Sequence, residues 1–220
     1  MTKQQQETVA ALLERHGTTY AEEAGIRLAD KPSPLYELLV LSTLLSARIS
    51  SRIAVDAARE LFSAGMRTPE RMRSATWQQR VSALGRGSYR RYDERTATML
   101  GDGADLLITQ HHADLRTLHT ADATVRQLSG ALQGFPGIGP TGAAIFLREV
   151  QDVWSLPDPV ADQKVLDGAA KLGLPTDAAQ LVALAPAGQR ARLAAACVRA
   201  ALEKNVVDDV LGAAAQTPTD

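Results

Sequence analysis

Cysteine is nearly missing from this chain: of 220 residues, only Cys197 carries a thiol. A lone cysteine excludes an intramolecular disulfide and any cluster held by four thiolates. Its setting, Leu193-Ala194-Ala195-Ala196-Cys197-Val198, is that of a small buried hydrophobe. Aromatic residues make up 4% of the chain and alternating β-branched runs are few, so a sheet has little to be built from. Neither sign of charge is in excess. The 24 basic and 25 acidic residues leave a formal net charge of −1, which gives no global pull toward a polyanion. A local basic stripe remains compatible with that balance. No apolar run is long enough to span a membrane, and Met1-Thr2-Lys3-Gln4-Gln5-Gln6 has no apolar signal core, so a cytoplasmic protein is expected. There is no βαβ pattern and no Walker A sequence, which excludes dinucleotide and P-loop readings of the glycines. The four histidines lack metal-ligand spacing, His111 and His112 being adjacent and His16 and His119 without suitably spaced carboxylates or cysteines, so no metal site is expected.

What the chain does have is alanine and leucine at helical spacing, and the expectation is an all-α fold. Val9, Leu12 and Leu13 mark a first helix over about 5–16, closed by Gly17. A linker at Asp30-Lys31-Pro32-Ser33-Pro34 follows, with Ser33 as N-cap and Pro34 in the first turn. Leu35, Leu38, Leu39, Leu41, Leu44 and Leu45 then form a helix apolar on most sides, which places it centrally in a domain. Helices are expected from Ser50-Ser51 to Phe62 and from Thr68-Pro69, then short helical pieces over 77–85. A long helix over about 91–110 is open to interruption at Gly101 and Gly103. Leu115 and Leu118 suit a packed connection, and Asp122 or Thr124 opens the next helix. Beyond an irregular segment over 154–159, helices are expected from Asp162 to Gly173, from Thr176-Asp177, and from Pro186 to about Lys204, with a frayed tail from Gly212 onward.

The chain is organised around Phe135-Pro136-Gly137-Ile138-Gly139-Pro140-Thr141-Gly142, which lies between two apolar helical runs. Pro136 stops the first helix, and Gly137 and Gly139 allow a tight backbone path. Pro140 suits the first turn of the second helix, where its missing N–H is no loss. The product is a helix–hairpin–helix with free amides at a helix N-terminus, a ready phosphate site formed by Gly137, Ile138, Gly139, Thr141 and Gly142. A plain turn between packed helices is the competing reading.

Two further stretches accompany the hairpin: Leu44-Leu45-Ser46-Ala47-Arg48 before it and Val160-Ala161-Asp162-Gln163-Lys164 after it. In this order the three resemble the helix–hairpin–helix DNA glycosylase superfamily that includes endonuclease III. There the hairpin reads roughly LPGVGxKTA, the later segment VD, and an early helix ends LLSAQ. The resemblance runs from about Pro34 to about Gly173. It implies two helical domains flanking a cleft: a central one over 34–150 ending in the hairpin, and a second built from 1–33 and 151–220. Many relatives carry an iron–sulfur cluster near the C-terminus, which one cysteine cannot hold. A monovalent cation on the hairpin carbonyls is common in the family and is left open here.

The resemblance also implies roles. Asp162 takes the place of the family's catalytic aspartate, with Asp158 as the substitute. Breaking an N-glycosidic bond builds positive charge on the sugar, which a fixed carboxylate stabilises while orienting water. Aspartate is equally a favoured N-cap, and the two roles are compatible. Thr141 stands where bifunctional members place a Schiff-base lysine, so lyase activity is not expected, and Lys164 is only a weak substitute. Arg48 takes the place of a glutamine that fills the gap left by an extruded nucleotide, though it also suits a surface helix C-terminus. Arg67, Arg71, Arg73, Arg80, Arg86, Arg90, Arg91 and Arg95, with Tyr89 and Tyr92 interleaved, form a basic cluster suited to phosphates, Arg90 and Arg91 foremost. The implied function is monofunctional removal of a damaged or mispaired base from double-stranded DNA in base-excision repair, in the cytoplasm at the nucleoid. Its competitors are a noncatalytic DNA-binding or lesion-recognition protein and a helical interaction protein whose hairpin is only a turn.

Overall fold

Side-chain caps start most of the helices. In the computed structural model, which describes residues 2–120, 122–156 and 158–214, there is no strand among the described residues. The elements are α1 (Lys3–His16), α2 (Tyr20–Glu23), α3 (Pro32–Leu45), α4 (Ser51–Ser63), α5 (Pro69–Ser74), α6 (Trp77–Arg86) and α7 (Asp93–His111). A short 3-10 helix (Leu115–Leu118) leads to α8 (Val125–Leu132), α9 (Pro140–Val150), α10 (Gln163–Lys171), α11 (Ala178–Val182), α12 (Arg190–Leu202) and α13 (Lys204–Ala214). Ser50, Thr68, Thr76, Thr124, Asp162 and Asp177 each accept a hydrogen bond from the third backbone amide of the helix they precede, satisfying a donor that the helix itself leaves open.

Two compact units result, one from residues 20–147 and the other from the segments up to Thr19 and from Arg148 onward. These boundaries lie at 19/20 and 147/148, where the resemblance places them after residues 33 and 150. The first unit is built on α3, whose residues from Leu35 to Leu44 are all buried, and α4 packs against it. Helices α4 and α7 both pack on α6, and α5 packs on α7. In the second unit α12 is buried from Leu193 to Ala200 and packs on α10, α1 and α13. Gly168 makes the α10–α12 approach possible, because a Cβ there would lie 1.8 Å from the Cys197 carbonyl oxygen.

Several boundaries differ from expectation. Helix α1 begins at Lys3, behind a capping box made by Thr2 and Gln5. Helix α3 begins at Pro32 behind Lys31, and Ser33 lies inside it, its hydroxyl donating to the Arg67 carbonyl. Helix α6 is one continuous helix, not short pieces. Helix α7 runs unbroken through Gly101 and Gly103, with Gly101 giving room to the Arg80 guanidinium, 2.7 Å from where a Cβ would sit. The long helix expected to reach Lys204 stops at Leu202, and the Lys171 ammonium of α10 donates to the Ala200 and Ala201 carbonyls of its last turn. A further helix, α13, follows and packs on α1, with Val206 and Val210 buried and Asp209 joined to Arg15 and His16. The expected tail is thus helical over 212–214, and 215–220 lie outside the described residues.

Candidate functional site

Helix α8 enters the hairpin with Leu128, Leu132 and Phe135 buried. Gly137 has φ +85°, a conformation that L side chains rarely adopt, and a Cβ there would lie 3.0 Å from Thr43 Cγ2. Ile138 is buried, and its amide donates to the Phe135 carbonyl across the turn. Pro140 opens α9, with Gly139, Pro140 and Thr141 exposed and Gly142 buried against Ile138. Among the described residues, the amides of Gly139, Thr141 and Gly142 donate to no backbone carbonyl, and the carbonyls of Pro136, Gly137 and Ile138 accept no backbone amide. The hairpin therefore presents open donors at the start of α9 and open acceptors in the turn before it.

In the other unit, Asp162 is the N-cap of α10. Its Oδ1 accepts the Val165 amide at 3.1 Å, and its Oδ2 accepts from an Arg148 terminal guanidinium nitrogen at 2.6 Å. Arg148 is 4% exposed, while a quarter of the Asp162 side chain still reaches solvent. Gln151, also buried, donates to the Arg148 and Val160 carbonyls. The Arg148 Nε and Gln151 Oε1 atoms are buried without a hydrogen-bond partner. Arg148 escaped the sequence reading, although a charge placed inside the apolar run of α9 was a usable signal. Asp158 is exposed and caps no helix, so Asp162 is the better-held carboxylate. Lys164 points its ammonium at Asp167, 3.7 Å away, on the exposed side of α10.

The basic cluster is less uniform than its sequence suggests. Arg80 is buried and donates to the carbonyls of Met72, Ala75 and Ala97, holding α5, α6 and α7 together, and burial lowers its pKa from the usual arginine value. Tyr89 is core, its hydroxyl accepting from Thr96, and burial pushes its pKa up. Arg67, Arg73 and Arg86 pair with Glu37, Asp105 and Glu60. Arg48, Arg71, Arg90, Arg91 and Arg95 are exposed and make no ion pair among the described residues. Arg91 stacks over the Tyr92 ring at 5.2 Å, and Arg48 lies just beyond the end of α3. The only thiol, Cys197, is buried in α12 and its pKa is pushed up to about 12 by that burial. Among the described residues no group of three or more histidine, cysteine, aspartate or glutamate side chains is placed to hold a metal ion, and no helix is long and apolar enough to cross a membrane.

No family model matches this chain, and no curated protein matches it in sequence. Its fold does match solved structures. A non-covalent endonuclease III–DNA complex aligns at 17% identity with a TM-score of 0.53, covering 90% of this chain and 86% of that one. A thermostable thymine-DNA glycosylase aligns at 12% identity with a TM-score of 0.57, covering 91% and 87%. At such identities the likeness shows the fold, and the chain has the all-helical helix–hairpin–helix glycosylase fold.

Proposed function

We propose that this protein is a DNA glycosylase of base-excision repair that acts on duplexes carrying a damaged or mispaired base, without lyase activity. The observation that carries the reading is Asp162. It is a part-exposed carboxylate fixed by two hydrogen bonds at a helix N-terminus, in a chain with the fold of DNA glycosylase structures. The open amides of Gly139, Thr141 and Gly142 would take a backbone phosphate, as helix N-termini do. The Pro136, Gly137 and Ile138 carbonyls are the donor type a monovalent cation takes, and such an ion would add positive charge facing that phosphate. Arg48, Arg90 and Arg91 would contact the duplex further along. With the base extruded, Asp162 would stabilise the cationic sugar and orient the water that replaces the base. Thr141 has no amine, and the Lys164 ammonium is engaged by Asp167, so no Schiff base is assigned.

A second reading has its own support. Both Asp162 oxygens are already bonded within the protein, which suits a noncatalytic duplex-binding or lesion-recognition protein as well. A panel of duplexes, each with one modified or mismatched base and scored after alkali, separates the two. Cleavage that depends on alkali, vanishes in Asp162→Asn and leaves no borohydride adduct is the expected result. An adduct lost in Lys164→Ala overturns the monofunctional assignment. Salt-sensitive duplex binding with no cleavage leaves the noncatalytic reading in its place.

A further inference from the structure

Two of the buried arginines, Arg80 and Arg148, are used in different ways. Arg80 distributes its hydrogen bonds over three backbone carbonyls, as a cation that ties helices together does. Arg148 has no such set. Among the described residues its guanidinium gives its hydrogen bond to Asp162 Oδ2, and its Nε is buried without any partner. A buried charge left this underbonded is costly unless its one contact is firm. The contact at 2.6 Å is short even for a charge-assisted bond.

From this we infer that Arg148 is a positioning residue for Asp162, clamping the carboxylate from behind so that its free lone pairs face solvent in one fixed orientation. The inference rests on the reading of Asp162 proposed above. Two pins act on the carboxylate: the Val165 amide on Oδ1 and Arg148 on Oδ2. With both in place the group cannot rotate about its Cβ–Cγ bond without losing one of them. Placement of this kind matters most in the transition state, where a small displacement of a charged group lowers the rate far more than it lowers binding.

The guanidinium also offsets part of the Asp162 charge, and that makes the sign of the effect decisive. Removing Arg148 frees the carboxylate electrically but releases it mechanically. If placement governs, Arg148→Gln and Arg148→Met lower the rate; if the offset governs, they raise it. The test is single-turnover base release on whichever lesion the wild type cuts, run beside duplex affinity for the same DNA and a thermal melt of each variant. Arg148→Gln keeps polarity at the buried position and supplies a folded neutral variant where Arg148→Met does not fold.

At least a tenfold lower single-turnover rate is expected for the neutral variants, with duplex affinity within about twofold of wild type. Arg148→Lys, which keeps the charge but not the planar fork, should recover part of the rate. A folded neutral variant with an unchanged or faster rate overturns the positioning role while leaving the Asp162 reading intact. A neutral variant whose duplex affinity falls as far as its rate, or an Arg148→Lys variant no faster than Arg148→Gln, also overturns it, because the effect is then not on placement of the carboxylate. Base release that survives Asp162→Asn, or a wild type that cuts no lesion, removes the Asp162 reading and Arg148's role with it.

Discussion

Asp162 serves its helix and its neighbour through separate oxygens, so single changes at this position dissect them. Asn in its place keeps an acceptor for the Val165 amide but no longer balances the buried Arg148. Asp162→Asn should therefore lower stability by about 1–3 kcal/mol, the cost of leaving a buried polar group poorly satisfied, read from urea denaturation midpoints. Glu37 gives a prediction with the opposite chemistry. Burial raises its carboxyl above the usual glutamate value, with Arg67 and Ser33 opposing only in part. A group whose pKa is higher in the folded than the unfolded state contributes stability fully at low pH and loses it as pH rises through the folded value. Glu37→Gln has no such loss. Its stability relative to wild type should therefore be more favourable at about pH 7 than at about pH 4, a comparison made with denaturant curves at the two values.

Among the elements, the helices with side-chain caps were the legible ones. Ser50, Thr68, Thr124, Asp162 and Asp177 each announce a helix start, and each helix begins just after its cap. Helices α3, α7 and α12 start behind Lys31, Tyr92 and Gln189, none of which makes a side-chain cap. Their starts fall two to four residues from where apolar spacing and proline placed them, because no local cap marks them; the Ala191 amide in the first turn of α12 donates instead to the distant Asp152 carboxylate. Helix α1 is the exception, since Thr2 and Gln5 form a full capping box that apolar spacing alone passes over. The hairpin was legible for a different reason: Gly137 needs its positive φ and Pro140 its place in the first turn of α9. Gly137→Ala should cost about 1–2 kcal/mol from the left-handed backbone alone. The tight contact with Thr43 adds to that, and a loss of duplex affinity beside the shifted melting curve would tie the turn to binding. Gly168→Ala should be worse. Its Cβ meets the α12 backbone, which cannot swing aside as a side chain can, so a loss at or beyond the ~3 kcal/mol end of overpacking costs is expected in the same denaturation assay.

For the whole molecule, the all-helical class followed from composition and spacing, and the glycosylase-type fold from three short motifs in order. Partnerships between distant segments did not follow. That Arg80 is core depends on which face of α6 meets α5 and α7, and that Tyr89 is core while Arg90 and Arg91 are surface depends on the path of the 87–92 connection between α6 and α7; a run of arginines encodes neither. The pairing of Arg148 with Asp162 spans 14 positions and an irregular segment, so no helical period connects them. The carbonyls at the end of α12 are likewise met by Lys171, 30 residues before Ala201.

Cys197 carries one more consequence, for spectroscopy. Its thiol is sealed inside α12 and its pKa pushed up to about 12, so at neutral pH it supplies almost no thiolate to an alkylating or disulfide reagent. The native protein should register no reactive thiol against a chromogenic disulfide, and one per chain once unfolded in urea. The wild-type sequence is therefore a blank background for site-directed labelling. A cysteine introduced at an exposed position such as Arg48 or Thr141 would be the sole point of attachment for a fluorophore or spin label, and the hairpin or the end of α3 could be followed on DNA without first removing a native residue.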